Sequence, residues 1–232
     1  MRVDHIIFDL DGTLIDSSRS VLDGFRFAFD QLGIEPVKPL TADVIGPPLL
    51  ETLATLSGIE NPATIANLAK AFKAHYDTTG YRATAGFPGV DRMLADLFAA
   101  HIPLSVATNK RLAPTISILR HLNWYAYFSS IDALDGFDPP LGSKAKMLGQ
   151  ILATNRLEPE NCYYIGDRNE DGEAARANRL NFILTTWGYG PDLPVGTMPD
   201  DWLMMASPQD ILDHFRPARN AGETIPTGKR NL

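Results

Sequence analysis

The residues best suited to chemistry fall in three short clusters. They are Asp9, Asp11 and Asp16 within FDLDGTLIDS (8–17), then Thr108-Asn109-Lys110, then Gly166-Asp167-Arg168-Asn169-Glu170-Asp171. Each follows directly on a short apolar run. A carboxylate that leaves water costs several kcal/mol unless a cation or hydrogen bonds compensate. The acidic clusters therefore stand in solvent or meet something positive. Hydroxyl, amide and carboxylate groups gathered from three distant segments could bind an anion, hold an oxygen-seeking cation and move protons. An isolated Asp-x-Asp is most often a turn, so the weight rests on the convergence of the three clusters. The five histidines show no ligand spacing such as HxxxH, which argues against a zinc site. Cys162, the only cysteine, sits in an apolar run and reads as a buried core thiol.

The elements that must position these groups alternate. Apolar runs at 3–8, 102–107, 127–131, 162–165 and 181–184 predict strands, and helical periodicity lies between them, as at 114–122 and 144–154. That alternation predicts an α/β fold, a parallel sheet covered on both faces by helices. In open parallel sheets, ligands bind beyond the carboxyl ends of the strands, where the three polar clusters fall. The stretch 17–81 breaks the alternation. It reads as helices at 21–32, 48–57 and 62–76, separated by the turn-rich GIEPVKP and SGIENP. The expected organisation is thus a core of residues 1–16 and 83–216, an inserted helical cap of residues 17–82, and a polar tail of residues 217–232. Asp16 and Ser17 are expected to cap the first cap helix, and Phe25, Phe27 and Phe29 to pack within the cap or against the core.

Composition narrows the partners. The chain has 232 residues, 44% hydrophobic and 21% charged, which suits one sizeable folded core with a smaller companion. Its net charge is −7 and it has no run of basic residues, which excludes nucleic acid and anionic membrane surfaces as partners and favours a small molecule. Without a long apolar stretch or a basic-then-apolar N-terminus, a cytoplasmic location is expected. Monomer and homodimer both stay open.

DLDGTLIDS, GDRNED and the TWGYG at 186–190 together resemble the haloacid dehalogenase superfamily, and within it the phosphoglycolate-phosphatase-like hydrolases with a helical cap. The likeness runs from Val3 to about Phe215. It implies a Rossmann-like core and a Mg²⁺-dependent phosphatase acting on a small phosphate monoester through an aspartyl-phosphate. On the matching positions, Asp9 is the implied nucleophile and Asp11 the acid/base. Thr13, Thr108 and Asn109 are implied contacts of the phosphoryl oxygens. Asp167 is the implied metal ligand with Asp9 and the backbone carbonyl of Asp11, and Asp171 stands behind it. Charge supports the ion: two carboxylates about 4 Å apart repel by roughly 4 kcal/mol at an effective dielectric near 20. The family's third-motif lysine falls on Lys144, with Lys146 two residues on as the competing register. In the cap, the loop 45–49 with Gly46 is the expected substrate-facing segment, and Arg82 a second candidate. A phosphosugar mutase would use the same residues. A 2-haloacid dehalogenase would not need Asp11 or the GDRNED acids, and a non-catalytic binding protein would not need Asp9.

Overall fold

The computed structural model describes residues 3–190 and 198–216, so the expected tail at 217–232 lies outside the described residues. In chain order the elements are β1 (His5–Phe8), β2 (Ile15–Asp16), α1 (Ser18–Leu32), α2 (Leu49–Ser57), α3 (Pro62–Tyr76), β3 (Ala85–Gly86), α4 (Val90–Ala99), β4 (Leu104–Thr108) and α5 (Leu112–His121). They continue with β5 (Ser130–Ala133), α6 (Lys144–Asn155), β6 (Cys162–Gly166), α7 (Asn169–Ala177), β7 (Asn181–Thr185), β8 (Leu203–Met205) and α8 (Pro208–Phe215).

Six strands form one parallel sheet in the order β5-β4-β1-β6-β7-β8. Central β1 reads HIIF and is buried throughout, because both of its faces are covered. Ile6 and Phe8 point into one apolar layer with Met93 and Leu97 of α4 and Ile118 of α5. Ile7, one residue out of phase, points into the other with Met147 and Leu148 of α6 and Ala175 of α7. The register aligns the strand ends. Phe8 sits opposite Val106 on one side and Ile165 on the other, so β1, β4 and β6 run out at the same edge. Their next polar residues are Asp9, Thr108 and Asp167.

Two expectations about strands need correction. The strand expected at 127–131 is Ser130–Ala133, because Tyr127 closes a 3₁₀ turn by donating to the Trp124 carbonyl. Edge strand β8 was not anticipated; it has only three residues, and Leu203 and Met204 are exposed, so no buried pattern announces it. The return segment also carries a short strand. β3 pairs antiparallel with β2, Ile15 opposite Gly86, and so ties together the two chain crossings between core and helical insertion.

The inserted helices α1–α3 have an apolar centre of their own. On α1, Val21, Phe25, Ala28 and Phe29 recur with helical spacing, and they meet Leu53 and Leu56 of α2 and Leu68 and Phe72 of α3. Phe27 lies on the opposite side, exposed and stacked on His75, so it does not join Phe25 and Phe29. At the start of α1, Asp16 accepts from the Ser18 amide at 2.9 Å. The Ser17 hydroxyl does not cap; it donates to the Asp11 carboxylate, the stronger acceptor. Among the described residues, no helix is long and apolar enough to cross a membrane.

Candidate active site

The loop after β1 is set by its backbone bonds. The Asp9 amide donates to the Ile165 carbonyl at 2.8 Å, and the Leu14 and Ile15 amides both return to the Leu10 carbonyl. Gly12 turns the chain at φ +85°, and a Cβ there would collide with the Asp167 carboxylate. Glycine is thus required on two counts, conformation and close approach. The result is that Asp9 and Asp167, which lie on different strand ends, share one small volume.

Lys144 closes that volume from the first turn of α6. Its ammonium donates to Asp9 Oδ1 at 3.0 Å and to Asp171 Oδ1 at 2.6 Å. Lys144 is buried while Lys146, two residues along the helix, is exposed, as a rotation of about 200° demands. Asp171 is fully buried and completely committed. Its Oδ1 also accepts from the Tyr164 hydroxyl, and its Oδ2 accepts from the Arg168 amide at 3.0 Å. Asp167 is less satisfied: Oδ2 accepts from the Tyr189 amide at 2.9 Å, whereas Oδ1 is buried without a partner among the described residues.

Burial and mutual repulsion show in the protonation balance. Burial pushes the Asp9 carboxyl well above its usual range; Lys144 opposes this, and Asp171 and Asp167 add to it. Asp167 is pushed up to about 7, by burial first and the Asp171 charge second. For Lys144, burial favours the neutral form, but Asp171 and Asp9 outweigh it and hold the ammonium well above its ordinary value. Carboxylate oxygens of Asp9, Asp167 and Asp171 lie within 4.8 Å of one another. A hard divalent cation fits this donor set: all the ligands are oxygens, one of them is orphaned, and the charge is in excess. Since Lys144, the Tyr164 hydroxyl and the Arg168 amide occupy Asp171, Asp9 and Asp167 are the side chains with oxygen to spare.

The Asp11 carboxylate has different company. Lys110 donates to its two oxygens at 2.9 and 3.2 Å, and the pair is nearly buried. Burial favours a neutral Lys110, yet Asp11 and Tyr76 together raise its pKa. Lys110 directly follows Thr108-Asn109 at the end of β4, so strand-end position was a signal for it that residue type alone did not supply. The TWGYG stretch supports the same loop. Trp187 donates to the Thr13 carbonyl at 3.0 Å, and the Tyr189 hydroxyl accepts from the Ser17 amide at 2.9 Å.

The remaining candidates divide. Thr108 is buried, its hydroxyl accepting from the Lys110 amide at 3.2 Å, and the Thr13 hydroxyl is buried without a partner among the described residues. The Asn109 amide nitrogen donates to the Gly46 carbonyl at 3.2 Å and lies 3.3 Å from both Glu170 oxygens. Its side chain therefore joins the loop before α2 to the core rather than offering a free donor to an anion. Gly46, at φ +132°, lines a cavity of about 70 Å³ between the core and the inserted helices, with Asp11, Phe25, Ile45, Tyr76 and Lys110. Arg82 is not brought there. The 3₁₀ turn Gly80–Ala83 leaves it exposed on the outer surface, beside Tyr81, Arg120 and His121.

Comparison with known proteins agrees with this geometry. Residues 6–185 match the family model described as haloacid dehalogenase-like hydrolase. The tyrosine-protein kinase PtkA of Mycobacterium tuberculosis is 37% identical over 80% of this chain and 62% of its own length, so the chain spans under two thirds of that relative. A solved structure of PtkA superposes with a TM-score of 0.76, covering 92% of this chain and 98% of the other at 32% identity. A 5'-nucleotidase of Pseudomonas aeruginosa is 30% identical over 83% of this chain and 86% of its own. A phosphoglycolate phosphatase of Synechococcus elongatus is 27% identical over 89% and 94%. With its Asp-x-Asp loop, its buried lysine and its parallel core, this chain belongs to the haloacid dehalogenase-like hydrolases, among relatives that include phosphatases.

Proposed function

We propose that the chain is a Mg²⁺-dependent phosphatase of small phosphate monoesters that works through an aspartyl-phosphate on Asp9. The observation that carries this reading is the Lys144 ammonium bridging Asp9 and Asp171 beside the orphaned oxygen of Asp167. Lys144 fixes Asp9 Oδ1 and leaves Oδ2 for phosphorus. Asp9 attacks, the bond from phosphorus to the ester oxygen breaks, and the departing alcohol takes a proton from Asp11, which enters the cycle protonated. Asp11 then takes a proton from water as that water attacks the acyl phosphate, which frees phosphate and regenerates Asp9. Mg²⁺ held by Asp9, Asp167 and the Asp11 carbonyl would neutralise charge on the carboxylates and the phosphoryl oxygens. Thr108, Thr13 and the amides opening α5 would serve as donors to the same oxygens. Residues 17–82 act as the cap, whose loop at 45–49 meets the leaving group.

Phosphate release from a panel of monoesters, with Mg²⁺ and then with excess chelator, tests the reading. Release that stops in chelator and returns with Mg²⁺ is expected; undiminished release in chelator defeats the metal assignment. The name of the 37% identical relative supplies a second reading, in which the phosphoryl group passes to a protein hydroxyl instead of water. Label from the γ-phosphate of ATP appearing on a tyrosine peptide, rather than as free phosphate, would favour it.

A further inference from the structure

The cavity between cap and core holds polar atoms that the hydrolysis above does not use. Tyr76, the last residue of α3, is 1% exposed, and among the described residues its hydroxyl meets no well-formed hydrogen-bond partner, the nearby Lys110 ammonium being committed to Asp11. On the core side, Asn109 Oδ1 is also buried without one. The orientation of that amide is set by its surroundings: the nitrogen faces the Gly46 carbonyl and the Glu170 carboxylate, all acceptors, so the oxygen lies on the other side. Both residues line the same cavity as Asp11. Desolvated polar groups without partners are costly, and in a binding cavity a ligand can supply the missing bonds.

The charges along this wall decide what kind of ligand that is. Lys110, 5.0 Å from the centre of the Tyr76 ring, is paired with Asp11, and Arg111 is paired with Asp77 at 2.7 and 2.5 Å. Neither brings an uncompensated positive charge to the cavity. Much of the remaining wall is apolar, formed by Val21, Phe25, Ile45 and Phe72. A carboxylate can only accept, so it would leave Asn109 Oδ1 unpaired and face an acceptor. A hydroxyl can donate to Asn109 Oδ1 and accept from Tyr76.

We infer that Tyr76 and Asn109 select an uncharged, hydroxyl-bearing leaving group, so that the preferred esters are monophosphates of small polyols. This rests on the phosphatase reading. The test uses ethyl phosphate, 2-hydroxyethyl phosphate and phosphoglycolate, with propyl phosphate and glycerol 3-phosphate as a three-carbon pair and p-nitrophenyl phosphate as a general reporter. The hydroxylated esters are expected to exceed their alkyl counterparts and phosphoglycolate in kcat/KM by about tenfold, the size of one neutral hydrogen bond. Tyr76→Phe should bring the hydroxyl-to-alkyl ratio close to one. Its thermal midpoint should stay close to the wild type, since the Lys110 ammonium beside the lost oxygen keeps both of its bonds to Asp11; a hydroxyl with a merely structural role would lower it. A preference for phosphoglycolate, or a ratio that survives Tyr76→Phe, overturns the inference while p-nitrophenyl phosphate hydrolysis keeps the phosphatase reading. Absence of phosphate release from every ester overturns both.

Discussion

Asp9 and Asp11 are two residues apart and live in opposite surroundings. Asp9 faces a rigid, charge-dense volume built from strand ends and helix starts of the core, with Asp167, Asp171 and Lys144 around it. Asp11 faces a cavity that core and inserted helices build together, with one lysine and an apolar wall. The difference separates two tasks. Groups on the Asp9 side must be held against strong mutual repulsion, so they sit at the ends of central strands and in the first turns of the helices packed on them. On the proposed mechanism, groups on the Asp11 side must admit a leaving group, and several of them come from the inserted segment, whose two crossings to the core pair as β2 and β3.

The sharpest way to break this comparison is Asp9→Asn. The amide is nearly isosteric but a poor nucleophile, so turnover should fall by at least about a thousandfold while the fold persists. Steady-state rates beside a circular dichroism spectrum check it; substantial remaining activity would take Asp9 out of the nucleophile's role. Next in size is Lys144→Ala. It leaves the carboxylates without their fixed cation, and a loss of about a hundredfold, near 3 kcal/mol, is expected. Exposed Lys146→Ala should change stability by no more than about 0.5 kcal/mol and hardly alter the rate. Reversal of those two results would move the motif by two residues.

On the other side, Lys110→Ala strands the Asp11 carboxylate, whose side chain is 11% exposed. Removing one partner of a fully buried pair costs about 3–5 kcal/mol, and this slightly exposed one should cost roughly 2 kcal/mol in denaturant unfolding. Combining Lys110→Met with Asp11→Asn should recover most of that loss. A single variant as stable as wild type would mean that Lys110 does not hold Asp11 in solution.

How much of this was legible in the sequence follows the same divide. β1 announced itself because burial on both faces demands an unbroken apolar run, and the acids after it were conspicuous for breaking that run. The separate environments of Lys144 and Lys146 follow from helical geometry next to buried Met147 and Leu148. The Asp11 side depends on contacts across long sequence separations. Lys110 meets Asp11 from 99 residues away, and Tyr76 reaches the cavity only because α3 ends there. Arg82 was misplaced for a related reason: whether a residue just past a helix faces in or out depends on one 3₁₀ turn that no periodicity reveals. Asn109 was assigned to an anion by the family resemblance, but the partners of its side chain, Gly46 and Glu170, come from two other segments.

The smallest expected effect concerns how the two sides are joined. Asp77, at the end of α3, accepts two bonds from Arg111, at the start of α5, so one fork links the last of the inserted helices to the core directly after Lys110. The arginine and aspartate side chains keep 19% and 32% of their surface, so solvent screens the pair and Arg111→Ala should cost no more than about 1 kcal/mol in stability. Its functional effect should fall on one side only. If the fork fixes how closely the Tyr76 end of α3 approaches β4, losing it loosens the wall around the leaving group and leaves Asp9, Lys144 and Asp167 in place. KM for a monoester should rise about threefold, with kcat and the Mg²⁺ concentration for half-maximal rate changing less than twofold. A matching shift in Mg²⁺ dependence would show that the Asp9 and Asp11 sides are mechanically coupled, and the division between a rigid half and an adaptable half would not hold.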